Sequence, residues 1–182
     1  MLSRLFRKDA KGNELEVVSS VDVEKYTGTW YEIAAYLNRA QRNCTCTKAE
    51  YTLTDKGYVT IRNTCERKGK LAGISGKAFV VPNSNNAKLK VQIFWPLKAD
   101  YWVIDLAADY SYAAVSTPNR KNLWILSRTP KLEERTYQEI LGRVKAKGLD
   151  INRLVRTIQR CPDQKKEKAE PSTESAALTA VE

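Results

Sequence analysis

The chain has 182 residues and a formal net charge of +10, with 31 lysine and arginine residues against 21 acidic ones and no histidine. A chain of this length holds one domain with a sizeable core. No segment reaches the roughly 18 consecutive apolar residues of a membrane helix, so we expect no spanning helix. The basic residues are scattered and follow no nucleic-acid-binding motif, which favours a solvated basic surface over a nucleic-acid partner. The same charge leaves open a peripheral contact with an anionic membrane.

The two ends of the chain differ in composition from the part between them. The opening residues, Met1 to Lys8, are too few and too charged to supply the apolar middle of a secretory signal. Residues 162–182 are rich in Lys, Glu, Ser, Thr and Ala, lack aromatic residues and bury too little apolar surface to become ordered. We therefore predict a flexible N-terminal segment over 1–20, one folded domain over 21–161 and a disordered tail over 162–182.

Between these ends, short β-type segments alternate with turn signals. Thr54-Asp55-Lys56-Gly57 separates two such segments and predicts a hairpin in which Gly57 takes a positive φ. Ala87 to Ile93 alternates apolar and polar residues, so one face of that strand meets water. The spacing favours a sandwich or barrel over βαβ units. The eight predicted strands are Trp30–Tyr36, Tyr51–Leu53, Tyr58–Ile61, Gly73–Val81, Ala87–Ile93, Asp100–Leu106, Tyr112–Ser116 and Lys121–Arg128.

One helix is predicted after the last strand. Thr129 is expected to cap it, with Pro130 at the first helical position and Gly148 at the end. Its apolar face consists of Tyr137, Ile140, Leu141 and Val144. The first and last strands are nearly apolar on both faces, so the helix should cover them. The expected fold class is all-β: an eight-stranded antiparallel up-and-down β-barrel with one C-terminal α-helix packed on the outside, whose interior holds side chains or one small ligand.

The chain has four cysteines, Cys44, Cys46, Cys65 and Cys161. They fit either a zinc site or two disulfides, and disulfides are favoured because Cys65 and Cys161 are isolated, whereas zinc ligands usually come in close pairs. A hairpin turn centred between Asp55 and Lys56 places Cys46 opposite Cys65. Disulfides would indicate the periplasm, secretion or an organelle lumen, although no export signal is visible.

Three short motifs stand in an order and spacing typical of one family. Gly28-Thr29-Trp30 opens the first strand, Asp109-Tyr110 lies between the sixth and seventh, and Arg128 ends the eighth. The chain resembles the lipocalins, within them the branch of apolipoprotein D and the bacterial outer-membrane lipocalins, from about residue 21 to 161. The resemblance implies the lipocalin calyx, closed at one end by Trp30 with Arg128 lying across it. Ala108 stands where the family often has threonine.

The same resemblance implies a disulfide pairing and a set of ligand contacts. The disulfides would be Cys44–Cys65 and Cys46–Cys161, the second tying the C-terminal segment to the barrel. Tyr51 and Trp124 match positions that face the ligand, and period-two alternation extends the wall from there. The expected ligand-binding residues are Ala49, Tyr51, Leu53, Val59, Ile61, Leu89, Val91, Ile93 and Trp124. The alternative is that these residues simply fill a ligand-free core.

The function implied is to bind and carry a small hydrophobic molecule such as a fatty acid or a lysophospholipid. Two alternatives are a surface-binding module for anionic membranes and a lipocalin-fold enzyme that acts on a lipid or pigment through Cys65. Without histidine, the usual serine and cysteine triads cannot be assembled, so we expect no catalysis. We also expect no metal, no cofactor and no nucleic acid.

Overall fold

The computed structural model describes residues 14–37 and 42–161. Within them a short helix, α1 (Val23–Tyr26), precedes the first strand. A longer helix, α2 (Glu134–Ala146), follows the eighth strand, and a 3₁₀ turn (Ile151–Arg153) leads into the ninth. The strands are β1 (Gly28–Tyr36), β2 (Cys44–Leu53), β3 (Val59–Arg67), β4 (Lys70–Val80), β5 (Lys88–Gln92), β6 (Ala99–Leu106), β7 (Tyr112–Ser116), β8 (Leu123–Ser127) and β9 (Leu154–Arg156).

The first eight strands close into a barrel. Each pairs antiparallel with its neighbour in sequence, and β1 pairs with both β2 and β8. Closure removes the free edges that an open sheet would expose. The predicted fold class is confirmed. The short strand β9, too brief to show a periodicity in the sequence, pairs with the end of β1 outside the barrel.

Helix α2 covers the outer face of the barrel, as predicted. Tyr137, Ile140 and Val144 are buried against outward-facing apolar side chains that include Ile33 and Ile125. This contact explains why β1 and β8 are apolar on both faces.

Helix α2 starts later in the chain than the sequence predicts. The helix begins at Glu134, and its N-cap, Glu133, makes no capping hydrogen bond through its side chain. Thr129 instead donates its hydroxyl to the carbonyl of Lys131, which stabilises a turn before the helix. The C-terminal end agrees with the prediction, since Gly148 follows with φ of +80°.

The β2–β3 hairpin has a different register from the predicted one. Leu53 pairs with Val59, so the turn is centred on Lys56 and holds one residue more than expected. Gly57 has the predicted positive φ, 76°. Further along the hairpin, a bulge between Thr45 and Lys48 moves the register back by one residue, so that Thr45 pairs with Glu66. Turn geometry alone therefore does not place Cys46 opposite Cys65.

The segment before α1 packs on the barrel. Leu15 is only 2% exposed and lies in the apolar layer between α2 and the sheet. The amide of Val18 donates to the carbonyl of Val103. Apolar side chains of residues 14–20 therefore bury against the barrel, within the segment that the sequence predicts to be flexible. Residues 1–13 and the predicted tail over 162–182 lie outside the described residues.

Candidate ligand-binding cavity

The barrel interior contains a cavity of about 540 Å³. It lies towards the end of the barrel where β3 joins β4 and β5 joins β6, which we call the open end. Six of the nine residues predicted to contact a ligand line this cavity: Ala49, Tyr51, Ile61, Val91, Ile93 and Trp124. Because period-two alternation sends these side chains inwards, the interior is mostly apolar.

The remaining three predicted contacts do not line the cavity. Val59 and Leu89 lie deeper, around a second space of about 20 Å³. Leu53 is 40% exposed at the end of the β2–β3 hairpin and lines neither space. Leu53 follows the alternation of β2, but at this position the strand extends beyond the end of the barrel.

Three tyrosines lie where the two spaces meet and form what we call the tyrosine floor: Tyr51 and Tyr101, which line both spaces, and Tyr26, which lines the smaller one. The hydroxyl of Tyr101 lies 2.9 Å from that of Tyr26 and 3.1 Å from that of Tyr51. Burial raises the pKa of Tyr51 to about 12 and also raises the pKa values of Tyr26 and Tyr101. All three hydroxyls therefore stay protonated at neutral pH.

Sequence reasoning missed several polar residues of the cavity wall. Glu32 is only 6% exposed and accepts a hydrogen bond of 2.6 Å from the hydroxyl of Thr157. The buried hydroxyl of Thr47 has no hydrogen-bond partner among the described residues. Tyr101 was missed as well, although its register opposite Leu89 places it on the inner face. A lone carboxylate in an otherwise apolar strand was the available signal for Glu32.

Below the floor, the barrel is sealed by Trp30 and Arg128. Trp30 is fully buried, and its indole N–H donates to the carbonyl of Tyr26 at 2.8 Å. The guanidinium carbon of Arg128 lies 3.8 Å from the centre of the indole ring, a cation–π contact. Its N–H groups reach four backbone carbonyls, those of Lys25, Thr27, Thr29 and Tyr110.

The other motif residues position the chain around this seal. Gly28 has φ of +93°, and a Cβ there would lie 3.3 Å from a nitrogen of Arg128, so glycine suits the position on both counts. The hydroxyl of Tyr110 accepts a hydrogen bond from the amide of Asp22, the N-cap of α1. Asp109 accepts one from the amide of Ser111, and its bonding with Ser111 lowers its pKa. The closed end is therefore fixed by the motifs that the sequence displays.

Two disulfides lie at the open end: Cys44–Cys65 and Cys46–Cys161. This is the pairing that the family resemblance implies. The segment after β9 runs between the upper parts of β1 and β2, where Gln159 donates to the carbonyls of Glu32 and Thr47. The second disulfide holds this segment in place.

Comparison with known proteins agrees with this architecture. The family model described as a lipocalin-like domain matches residues 21–159. The chain is a lipocalin. Lipocalins generally bind small hydrophobic molecules, and the relatives of this one are mostly binding proteins rather than enzymes.

This lipocalin is similar to relatives from plants, bacteria and animals. It is 40% identical to temperature-induced lipocalin-1 of Arabidopsis thaliana, over 80% of this chain and 83% of that one. It is 37% identical to the outer membrane lipoprotein Blc of Vibrio cholerae, over 76% and 82% of the two chains. Apolipoprotein D of Mus musculus is 33% identical over 81% and 82%.

Among solved structures, insecticyanin from the tobacco hornworm Manduca sexta superimposes with a TM-score of 0.66. That match has 21% identity and covers 79% of this chain and 84% of that one. At this identity the likeness concerns the fold alone.

Proposed function

We propose that this lipocalin carries a small lipid, such as a fatty acid or a lysophospholipid, in its barrel cavity. The observation that supports the proposal is the cavity of about 540 Å³ lined mainly by apolar side chains. Ligand pockets typically enclose about 300–1,000 Å³ with a few polar groups among apolar ones. The interior is not filled by its own side chains, which favours a carrier over a ligand-free core.

The depth of the cavity suits an elongated molecule. Cys44 at the mouth and Tyr51 at the floor both belong to β2. Seven steps of ~3.3 Å give about 23 Å along the strand, and a strand tilt of about 40° reduces this to a depth of about 18 Å. Burying about 300 Å² of such a ligand at ~25 cal/mol per Å² corresponds to a Kd near micromolar.

Contact quenching of tryptophan fluorescence tests the proposal. Trp124 lines the cavity, whereas Trp102 packs in the outer apolar layer. Stearic acid with a nitroxide on its chain quenches only indoles that it touches. We expect saturable quenching at one ligand per chain, lost in Trp124→Phe and retained in the matched variant Trp102→Phe. Quenching that never saturates would contradict a cavity site.

A second candidate function is docking on anionic membranes, which one surface of the molecule favours. Phe94, Trp95 and Leu97, in the β5–β6 connection at the open end, are 67%, 86% and 73% exposed. Leu71 of the adjacent β4 is also exposed. Exposed basic residues flank them, among them Lys68, Lys70 and Lys98. Exposed aromatic rings beside lysines match a bilayer interface with anionic head groups.

Sedimentation with vesicles tests the docking. We expect binding to vesicles that contain phosphatidylglycerol, weaker binding to pure phosphatidylcholine, and release in high salt. Trp95→Ser should weaken binding about tenfold, a loss of about 1.4 kcal/mol of interfacial contact. Trp102→Ser, on another face, is the control for stability. Equal binding by wild type and Trp95→Ser would reject this surface as the docking site.

The enzyme alternative has less support. It depended on a free thiol at Cys65, which is bonded to Cys44. We propose that the protein binds its ligand without transforming it. Incubating lipids or pigments with wild type and Cys65→Ala tests this, because a product formed only by wild type would support the enzyme.

A further inference from the structure

The tyrosine floor contains more hydroxyl protons than its own hydrogen bonds use. Each phenol supplies one proton and can also accept, and Tyr101 is bonded to both Tyr26 and Tyr51. Each of these two contacts uses one proton, whichever hydroxyl donates. Three protons in two bonds leave one donor that the triad cannot satisfy.

The position of the floor shows where an acceptor for this proton can come from. The space below it has a volume of about 20 Å³ and an almost wholly apolar lining. That is room for about one water molecule, which would need two or more polar partners to stay there. Tyr51 and Tyr101 also line the cavity of about 540 Å³ above. The larger cavity is the side from which a ligand can supply an acceptor.

The surroundings keep the three phenols protonated, so the tyrosine floor acts as a hydrogen-bond donor. Its rings pack edge-on or tilted, with 5.8 Å between the ring centres of Tyr26 and Tyr51 and 6.3 Å between those of Tyr51 and Tyr101. Burial raises the pKa values of all three hydroxyls. A buried donor without a partner is costly, so a ligand that supplies an acceptor is favoured over one that does not.

We propose that the tyrosine floor recognises a hydrogen-bond acceptor at the leading end of the ligand. The ligand class is then an elongated hydrophobe whose inner end carries a carbonyl or another oxygen acceptor, rather than a plain hydrocarbon tail. This inference rests on the proposed carrier function, because it needs a molecule in the cavity.

A matched pair of uncharged probes tests the inference. Butyrophenone and butylbenzene have nearly the same shape and differ by a carbonyl in place of a methylene. Displacement of a cavity-bound fluorescent naphthylamine gives Kd for each. We expect the wild type to bind butyrophenone at least as tightly as butylbenzene. In the double variant Tyr51→Phe with Tyr101→Phe, butyrophenone should become weaker relative to butylbenzene by about tenfold, because its carbonyl is buried without a donor.

Tyr58→Phe is the matched control. It removes the same phenolic oxygen from a tyrosine outside the floor, whose ring packs beside Phe79. Its ratio of the two Kd values should equal that of the wild type. Retained butylbenzene binding shows that a variant is folded with an open cavity.

The outcomes separate this inference from the carrier proposal. If neither the naphthylamine nor either probe binds to the wild type, the carrier proposal fails. If butylbenzene binds and the ratio is the same in wild type and the double variant, the floor inference alone is overturned.

Infrared spectroscopy of the wild type gives an answer without any variant. The carbonyl stretch of bound butyrophenone should lie below its frequency in hexane, as expected for a hydrogen-bonded carbonyl. A stretch at the hexane frequency would overturn the inference.

Discussion

At the closed end of the barrel, Arg128 donates to four backbone carbonyls and covers Trp30, which has no exposed surface. At the open end, Trp95 is 86% exposed and its neighbours Phe94 and Leu97 also face outwards. The closed end is held by contacts whose loss leaves buried groups without partners, whereas the open end presents apolar surface that nothing in the described chain covers. We infer that the closed end contributes packing stability, whereas the open end leaves surface free for contacts with a ligand or a membrane.

The two tryptophans give the sharpest contrast between the ends. Trp30→Ala should lower the free energy of unfolding by about 3–5 kcal/mol, because it empties the plug beneath Arg128. Trp95→Ala should change it by less than about 0.5 kcal/mol, since its ring is mostly in water. Urea unfolding followed by circular dichroism measures both values. Similar losses in the two variants would contradict the proposed difference between the two ends.

The disulfides test how far the open end depends on covalent links. Replacing Cys46 and Cys161 by serine should cost about 2–4 kcal/mol, since that bond spans a sequence separation of 115. Replacing Cys44 and Cys65, separated by 21, is the matched control. Loop-closure entropy predicts a loss smaller by about 1.5 kcal/mol for this pair. If the loss of Cys44–Cys65 lowers the free energy of unfolding more than the loss of Cys46–Cys161, chain entropy does not explain what these disulfides contribute.

The tyrosine floor marks the boundary between the two ends and should make stability fall at alkaline pH. Burial raises the pKa of Tyr51 from 10 to about 12. A group whose pKa is raised by folding contributes stability in full below pH 10 and loses it as pH rises to about 12. This shift of two pKa units corresponds to about 2–3 kcal/mol of the free energy of unfolding.

Urea unfolding at pH 9, 10, 11 and 12 measures that fall. Tyr51→Phe should show a shallower decline than the wild type. Tyr58→Phe, a change in a half-buried ring beside Phe79, is the control for general alkaline effects. An unchanged slope in Tyr51→Phe would show that the floor does not titrate as described.

The closed end could be predicted from the sequence because its motifs lie in short stretches. Gly28, Trp30 and Arg128 carry the seal, and the structure brings them together as the family resemblance implied. For strands with clean alternation, such as β5, the predicted bounds likewise lie close to the observed ones.

The cavity wall was predicted less completely, for two physical reasons. Alternation tells which residues share a face but not where the barrel ends, so the predicted wall includes Leu53, which is 40% exposed. Bulges in β1, β2 and β6 interrupt the period of two, and no local signal in the sequence marks them. Glu32 precedes one of these bulges, and long-range contact with Thr157 decides its role.

Filling the cavity is the most direct test of the central claim that the barrel interior holds the ligand. Ala49 lines the cavity, and Ala49→Phe puts a ring into it, whereas Ala146→Phe adds the same ring at the exposed end of α2. Calorimetric titration of each variant and the wild type with a fatty acid gives affinity and stoichiometry. We predict one ligand per chain for the wild type and Ala146→Phe, and at least tenfold weaker binding for Ala49→Phe. Undiminished binding by a folded Ala49→Phe would contradict an interior site.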